Sequence, residues 1–138
     1  MPTSTPLSAE MFWLAATVLM SAVLWMPVII NRIMEMNLMP ALLNPEPDEH
    51  AETRWAVRAD RAHKNAVENL VLFAPLALAI EITGTATALT AGACAVYFVA
   101  RAAHYLIYTL GVGLLRTIAF AVGFGVQVVL ALTVLGWI

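Results

Sequence analysis

The sequence predicts an all-α protein, an integral membrane bundle of four helices forming a single domain over residues 1–138. Three observations carry that prediction. First, 62% of the 138 residues are hydrophobic and only 12% are charged, a balance too apolar to cover the surface of a water-soluble domain. Second, the apolar residues fall in four blocks: Ala9–Ile30, Ala66–Ile82, Ala86–Ala100 with an extension to Tyr108, and Thr117–Ile138. Each block, alone or with its polar flank, reaches the roughly 20 residues a helix needs to cross a hydrocarbon core. Third, every lysine and arginine sits in or beside two of the connections. Arg32, Arg54, Arg58, Arg61 and Lys64 flank the first, and Arg101 and Arg116 flank the third. The positive-inside rule then places both basic connections in the cytoplasm and both termini on the other side, as an even number of spans requires.

The first helix is expected over about 8–38. Met1 to Glu10 lacks the basic start of a cleavable signal peptide, so this block is expected to be retained. Trp13, Trp25 and Trp137, near span ends, read as interfacial anchors. From about Pro40 to Thr53 the run Asn44-Pro45-Glu46-Pro47-Asp48-Glu49 forbids a regular helix and reads as an acidic surface loop. The second helix is expected over about 52–82, with a kink at Pro75, where one backbone donor is missing. Gly84 between Thr83 and Thr85 marks a tight turn into the third helix, about 86–109. Gly111 and Gly113 mark a looser turn into the fourth, about 116–137. The lone Cys94 reads as a small packing residue. No metal-ligand spacing and no phosphate-binding loop is visible, so neither a metal site nor a nucleic-acid partner is expected.

The second helix carries the most informative pattern. Arg54, Arg58, Arg61, Asn65 and Glu68 follow at steps of four, three, four and three, which puts them on one helical face. The apolar run Leu70–Ile82 is too short to span alone, so Asn65 and Glu68 are drawn into the bilayer, where polar groups are expensive and usually functional. On the third helix Tyr97, Arg101, His104 and Tyr108 repeat the rhythm. Asn65 lies 18 residues before Thr83 and His104 lies 19 after Thr85, so at about 1.5 Å per residue the two stripes end at nearly the same depth. Arg116 and Thr117 begin the fourth helix close to that level, and Phe120, Gly123 and Gln127 continue its face.

Arg58, Arg61, Lys64, Arg101 and Arg116 outnumber Glu68 in this layer, and cations in low-dielectric surroundings need anions. A ligand with carboxylates held by arginine forks supplies them; a zwitterionic, multiply anionic peptide fits the inventory. Blander readings stand beside this one. Arg54 and Arg58 can snorkel to lipid phosphates, and Lys64 lies off the stripe, as an interface anchor would. Glu68 can pair with Arg61 or with an arginine of the third helix, and His104 can be structural. Gln127 reads as an inter-helix hydrogen bond and Tyr97 as core.

The segment Arg58-Ala59-Asp60-Arg61-Ala62-His63-Lys64-Asn65-Ala66-Val67-Glu68-Asn69, followed by Pro75, resembles the second-helix signature of the MAPEG family, the membrane-associated proteins in eicosanoid and glutathione metabolism. Arg101, His104 and Tyr108, with Arg116 after a short loop, are similar to its later motif, and the likeness covers essentially the whole chain. The resemblance implies a homotrimer binding glutathione between subunits near the cytoplasmic face, with a lipophilic small-molecule substrate arriving from the membrane lipid. It implies that Arg116 stabilises the glutathione thiolate as the catalytic residue. Arg61, Lys64, Asn65, Glu68, Arg101, His104, Tyr108 and Thr117 are then the glutathione-binding set. Thr117 and Phe120 stand where some relatives have a serine and a hydroxyl-bearing aromatic, and Arg32 lies one turn from a position often basic, here Met36. The activity so implied is that of a glutathione-dependent transferase or peroxidase acting on lipophilic electrophiles. A non-catalytic trimer binding glutathione or lipid, and a small proton-coupled transporter working through Glu68, are the rivals.

Overall fold

A computed structural model describes residues 6–43 and 53–138. The described residues form helices and short connections, with no strand among them. Four stretches are long and apolar enough to cross a membrane: Ala9–Met36, Arg54–Thr83, Ala88–Leu110 and Gly113–Val134.

The first stretch is not one continuous helix. It divides into α1 (Ala9–Val23) and α2 (Met26–Met36), and a short α3 (Leu38–Leu43) follows. Pro27 has no N–H to return to the carbonyl of Val23, so the ladder breaks there. Val28 and Ile29 both donate instead to Trp25 O, at 3.2 and 3.3 Å, and restart the helix. Asn37 separates α2 from α3 with φ +68°, a left-handed conformation that asparagine tolerates better than most residues. Pro40 lies within α3, not at the start of a loop, and the rest of the expected acidic loop (44–52) lies outside the described residues.

The second span, α4 (Arg54–Thr83), carries Pro75 inside it. Its buried face is dominated by alanine: Ala56, Ala59, Ala62, Ala66 and Ala77 recur at near-heptad spacing with Phe73 and Ile80. Small side chains let neighbouring helices approach closely, the main source of helix association in lipid, where no hydrophobic drive remains. Gly84 ends the helix with φ +67°, and the Thr83 hydroxyl sits 2.9 Å from that of Thr85 across the turn. The third span, α5 (Ala88–Leu110), starts at Thr87, which forms a reciprocal capping box with Thr90. Gly111, at φ +83°, ends it, and Val112 caps α6 (Gly113–Val134). The turn between α5 and α6 is therefore tighter than the sequence suggests. Gly113 already belongs to the last helix, and Arg116 lies within its opening turns.

α5 is the central element, packed against α1, α4 and α6. Leu14, Phe73, Ala77, Ile80, Cys94, Tyr97, Val126 and Leu130 make the main core, with the Phe73 and Tyr97 rings stacked at 3.8 Å. Trp13 packs against that core and against Phe98, so it is more than an interfacial anchor. Outward faces carry large apolar side chains such as Leu19, Val71, Leu106 and Ile82, the last 82% exposed, as a lipid-facing surface requires.

Candidate functional site

At the α5–α6 turn, Asn65 of α4, His104 and Tyr108 of α5, and Arg116, Thr117 and Phe120 of α6 line one cleft of about 300 Å³. Helical spacing explains the convergence. His104 and Tyr108 are one turn apart on α5, and Arg116 and Phe120 are one turn apart on α6. The close α5–α6 turn then sets the two pairs beside each other. The Arg116 guanidinium lies over the Tyr108 ring, 4.6 Å from its centroid, a cation–π arrangement that holds the charge at the cleft wall. His104 meets Tyr108 edge-on at 5.6 Å and lies 6.2 Å from Phe120. The Thr117 hydroxyl donates back to Gly113 O at 3.3 Å, which leaves its oxygen lone pairs free to accept.

Arg101 does not line this cleft. It is 2% exposed and lies behind Asn65, donating from Nη1 to Asn65 Oδ1 at 3.3 Å and from Nη2 to Phe120 O at 3.2 Å. Neither Arg101 nor Arg116 has a carboxylate partner among the described residues. That is the site's main electrostatic property: two guanidinium charges at one level of an apolar bundle, with no anion of the described residues against them.

The other residues singled out in the sequence lie elsewhere. Arg61 and Glu68 are exposed on the single chain and do not pair with each other. Lys64 is exposed and pairs with Asp60 at 2.7 Å, one turn back on the same helix. Arg58 is neither in the cleft nor left to the lipid headgroups. Its Nε donates to Thr109 O at 2.8 Å and its guanidinium packs against Gly111, so it caps the end of α5 and ties α4 to the turn. No cluster of three or more His, Cys, Asp or Glu side chains occurs among the described residues.

Two contacts beneath the cleft extend the polar layer. Gln127 Nε2 donates to Asn69 O at 3.2 Å, the inter-helix bond expected of Gln127, and Asn69 Nδ2 donates to Asn65 O at 2.9 Å. The sequence signal for Asn69 was available: it lies one turn after Asn65, on the side of α4 that α6 approaches. Phe120, which the sequence places on the face that Arg116 begins, is part of the cleft wall.

Four helices long and apolar enough to span a bilayer, with a cationic polar cleft at one end, define a multi-pass integral membrane protein. The MAPEG family model matches residues 11–136, and the chain belongs to the MAPEG family. Comparison with curated proteins finds no match, and comparison with solved structures finds none.

Proposed function

We propose that the protein is a glutathione-dependent membrane transferase or peroxidase acting on lipophilic electrophiles. The observation that carries the reading is a pair of guanidinium groups, Arg116 on the cleft wall and Arg101 behind Asn65, with no carboxylate partner among the described residues. Glutathione supplies the missing anions: two carboxylates and, once deprotonated, a thiolate. Arg116 is the thiolate stabiliser. Its position in the opening turns of α6 adds the positive end of the helix to its own charge, and both favour an anion in the cleft. The thiolate sulfur attacks the electrophilic carbon, a thioether bond forms, and the electron pair leaves with the displaced group. Asn65, His104, Tyr108 and Thr117 orient the peptide. The electrophile arrives from the bilayer side, where Phe120 presents an apolar wall.

Arg61, Lys64 and Glu68 face outward on one chain, where charges against lipid are costly. A homotrimer with the site between neighbouring subunits removes that cost and lets these three residues complete the peptide-binding set. The arginine and lysine distribution supports a site near the cytoplasmic face, with both termini opposite.

The test is titration of the detergent-solubilised protein with glutathione by calorimetry, with thiolate absorbance followed in the ultraviolet and turnover of a chromogenic electrophile measured for wild type and Arg116→Ala. Binding with a rise in thiolate absorbance and Arg116-dependent turnover is expected; no binding of glutathione by the wild type sinks the reading. The hydroxyl-free Phe120 favours a second reading, a non-catalytic glutathione-binding trimer. Binding without thiolate formation and without turnover across an electrophile panel would select it.

A further inference from the structure

Arg101 combines features that a ligand-contacting arginine does not need. It is 2% exposed, and its guanidinium lies over the rings of Tyr97 and Phe120, 5.4 and 5.3 Å from their centroids. It bridges α4 and α6 through Asn65 and the Phe120 carbonyl, while its Nε has no partner. It fits only because residue 123 is glycine: a Cβ built there would overlap Nη2 and crowd Nε and Cζ of Arg101. Packing alone does not call for a charge here, because the Gln127–Asn69 bond already joins α4 to α6 with neutral groups.

The chemistry of the Arg101–Asn65 contact fixes the direction of the amide. A guanidinium has donors and no acceptor, so the Asn65 atom facing it must be the oxygen. The planar amide then turns its NH₂ away from Arg101. Asn65 lines the cleft, and its Nδ2 makes no hydrogen bond to the described residues. A free asparagine amide offers a donor and an acceptor alike; in the fold, the acceptor of Asn65 is engaged from behind.

We propose that Arg101 is a positioning residue: seated in the notch at Gly123, it orients Asn65 so that the side-chain amide serves the cleft as a donor, matched to a carbonyl or carboxylate oxygen of the bound peptide. The ligand in this statement rests on the glutathione reading above; the orienting contact does not. Arg101 acts through Asn65 and touches no substrate, in contrast to Arg116 on the cleft wall.

Asn65→Asp separates the two halves. Aspartate keeps an acceptor for Arg101 and supplies a counter-charge to a buried cation, but it has no donor for the ligand. The thermal midpoint of the solubilised protein is expected to hold or rise by a few degrees, roughly what one added buried pairing gives a chain of this size. The glutathione Kd is expected to rise at least about tenfold. Gly123→Ala, which displaces the guanidinium, is expected to raise the Kd about three- to tenfold while thiolate absorbance at saturation stays at the wild-type level, because Arg116 is untouched. A purely structural Arg101 would lower the midpoint without that division between affinity and thiolate. Asn65→Asp binding glutathione as tightly as wild type, or Gly123→Ala leaving the Kd unchanged, overturns the proposal. Should the wild type bind no glutathione, the ligand reading fails by itself, and the orienting contact is then judged by midpoints alone. Arg101→Met must lower the midpoint more in the Asn65→Asp background than in wild type; equal effects in both overturn it.

Discussion

Where α4 turns into α5, the Thr90 hydroxyl reaches the buried Glu10 carboxyl at 2.5 Å, and Ser8 reaches Glu81 at 2.7 Å. Ser8 also caps α1, and Thr87 caps α5, so polar side chains there answer one another across α1, α4 and α5. Where α5 turns into α6, Arg101 and Arg116 answer no carboxylate among the described residues, and Asn65, His104 and Tyr108 open onto a cleft. Both ends bring polar groups into an apolar bundle, yet among the described residues only one end pairs its charged groups with partners of opposite character. Buried polar groups are costly unless paired, so the self-satisfied end reads as structure, and the other end is the one that the proposed ligand would complete.

The largest expected effect lies at the unsatisfied end. Arg116→Ala should lower turnover about 10²-fold, the usual consequence of removing one group that stabilises a reacting anion, with little change in thermal midpoint. A fall in midpoint comparable to the loss of activity would break the contrast, because it would make Arg116 part of the frame. At the satisfied end the signs reverse. Glu10→Ala removes a buried acceptor for Thr90 and should cost about 2 kcal/mol, read as a lower thermal midpoint in detergent. Glutathione affinity should stay at the wild-type value, and a loss of affinity in that variant would show that the two ends are coupled.

How much of this was legible beforehand differs between the two ends as well. The four spans and the level at which three helices bring polar groups together follow from block length and helical steps, which need no tertiary information. Helical steps say which residues share a face but not what that face meets. Asn65 and Glu68 share a stripe, yet Asn65 meets α5 and α6 while Glu68 is exposed on the single chain. In sequence Arg101 reads as a wall of the site because it lies in line with His104; Gly123, on the neighbouring α6, is what lets it retreat behind Asn65. For Arg58 the sequence leaves open a cation of the ligand layer or a headgroup anchor, and neither anticipates its partner, the backbone carbonyl Thr109 O, which no pattern of side chains announces. The break in the first span did have a signal, Pro27, outweighed by the apolar run around it.

Gln127→Leu probes the region between the ends. It removes the neutral contacts of Gln127 to the Asn69 carbonyl and Oδ1, which join α4 to α6 beneath the cleft, and should cost about 1 kcal/mol, with a change in glutathione affinity no larger than about twofold. A larger loss of affinity would mean that Asn69 and Asn65, bonded one turn apart, transmit strain to the cleft, and that the unsatisfied end extends deeper than its walls.

The smallest effect on stability is expected at Lys64, and it bears most directly on where the unsatisfied end stops. Its exposed ion pair with Asp60, one turn away, is worth no more than about 0.5 kcal/mol, so Lys64→Ala should leave the thermal midpoint almost unchanged. The informative readout is glutathione affinity. In a single chain Lys64 does not line the cleft, and affinity should hold if each chain binds the peptide alone. In a trimer whose subunits share the site, the outward stripe of α4 is brought against a ligand, and removal of the cation should weaken binding by about threefold to tenfold. The second outcome would carry Arg61 and Glu68 into the site with Lys64, and would explain why a membrane helix keeps three charged side chains on a face that its own chain leaves uncovered.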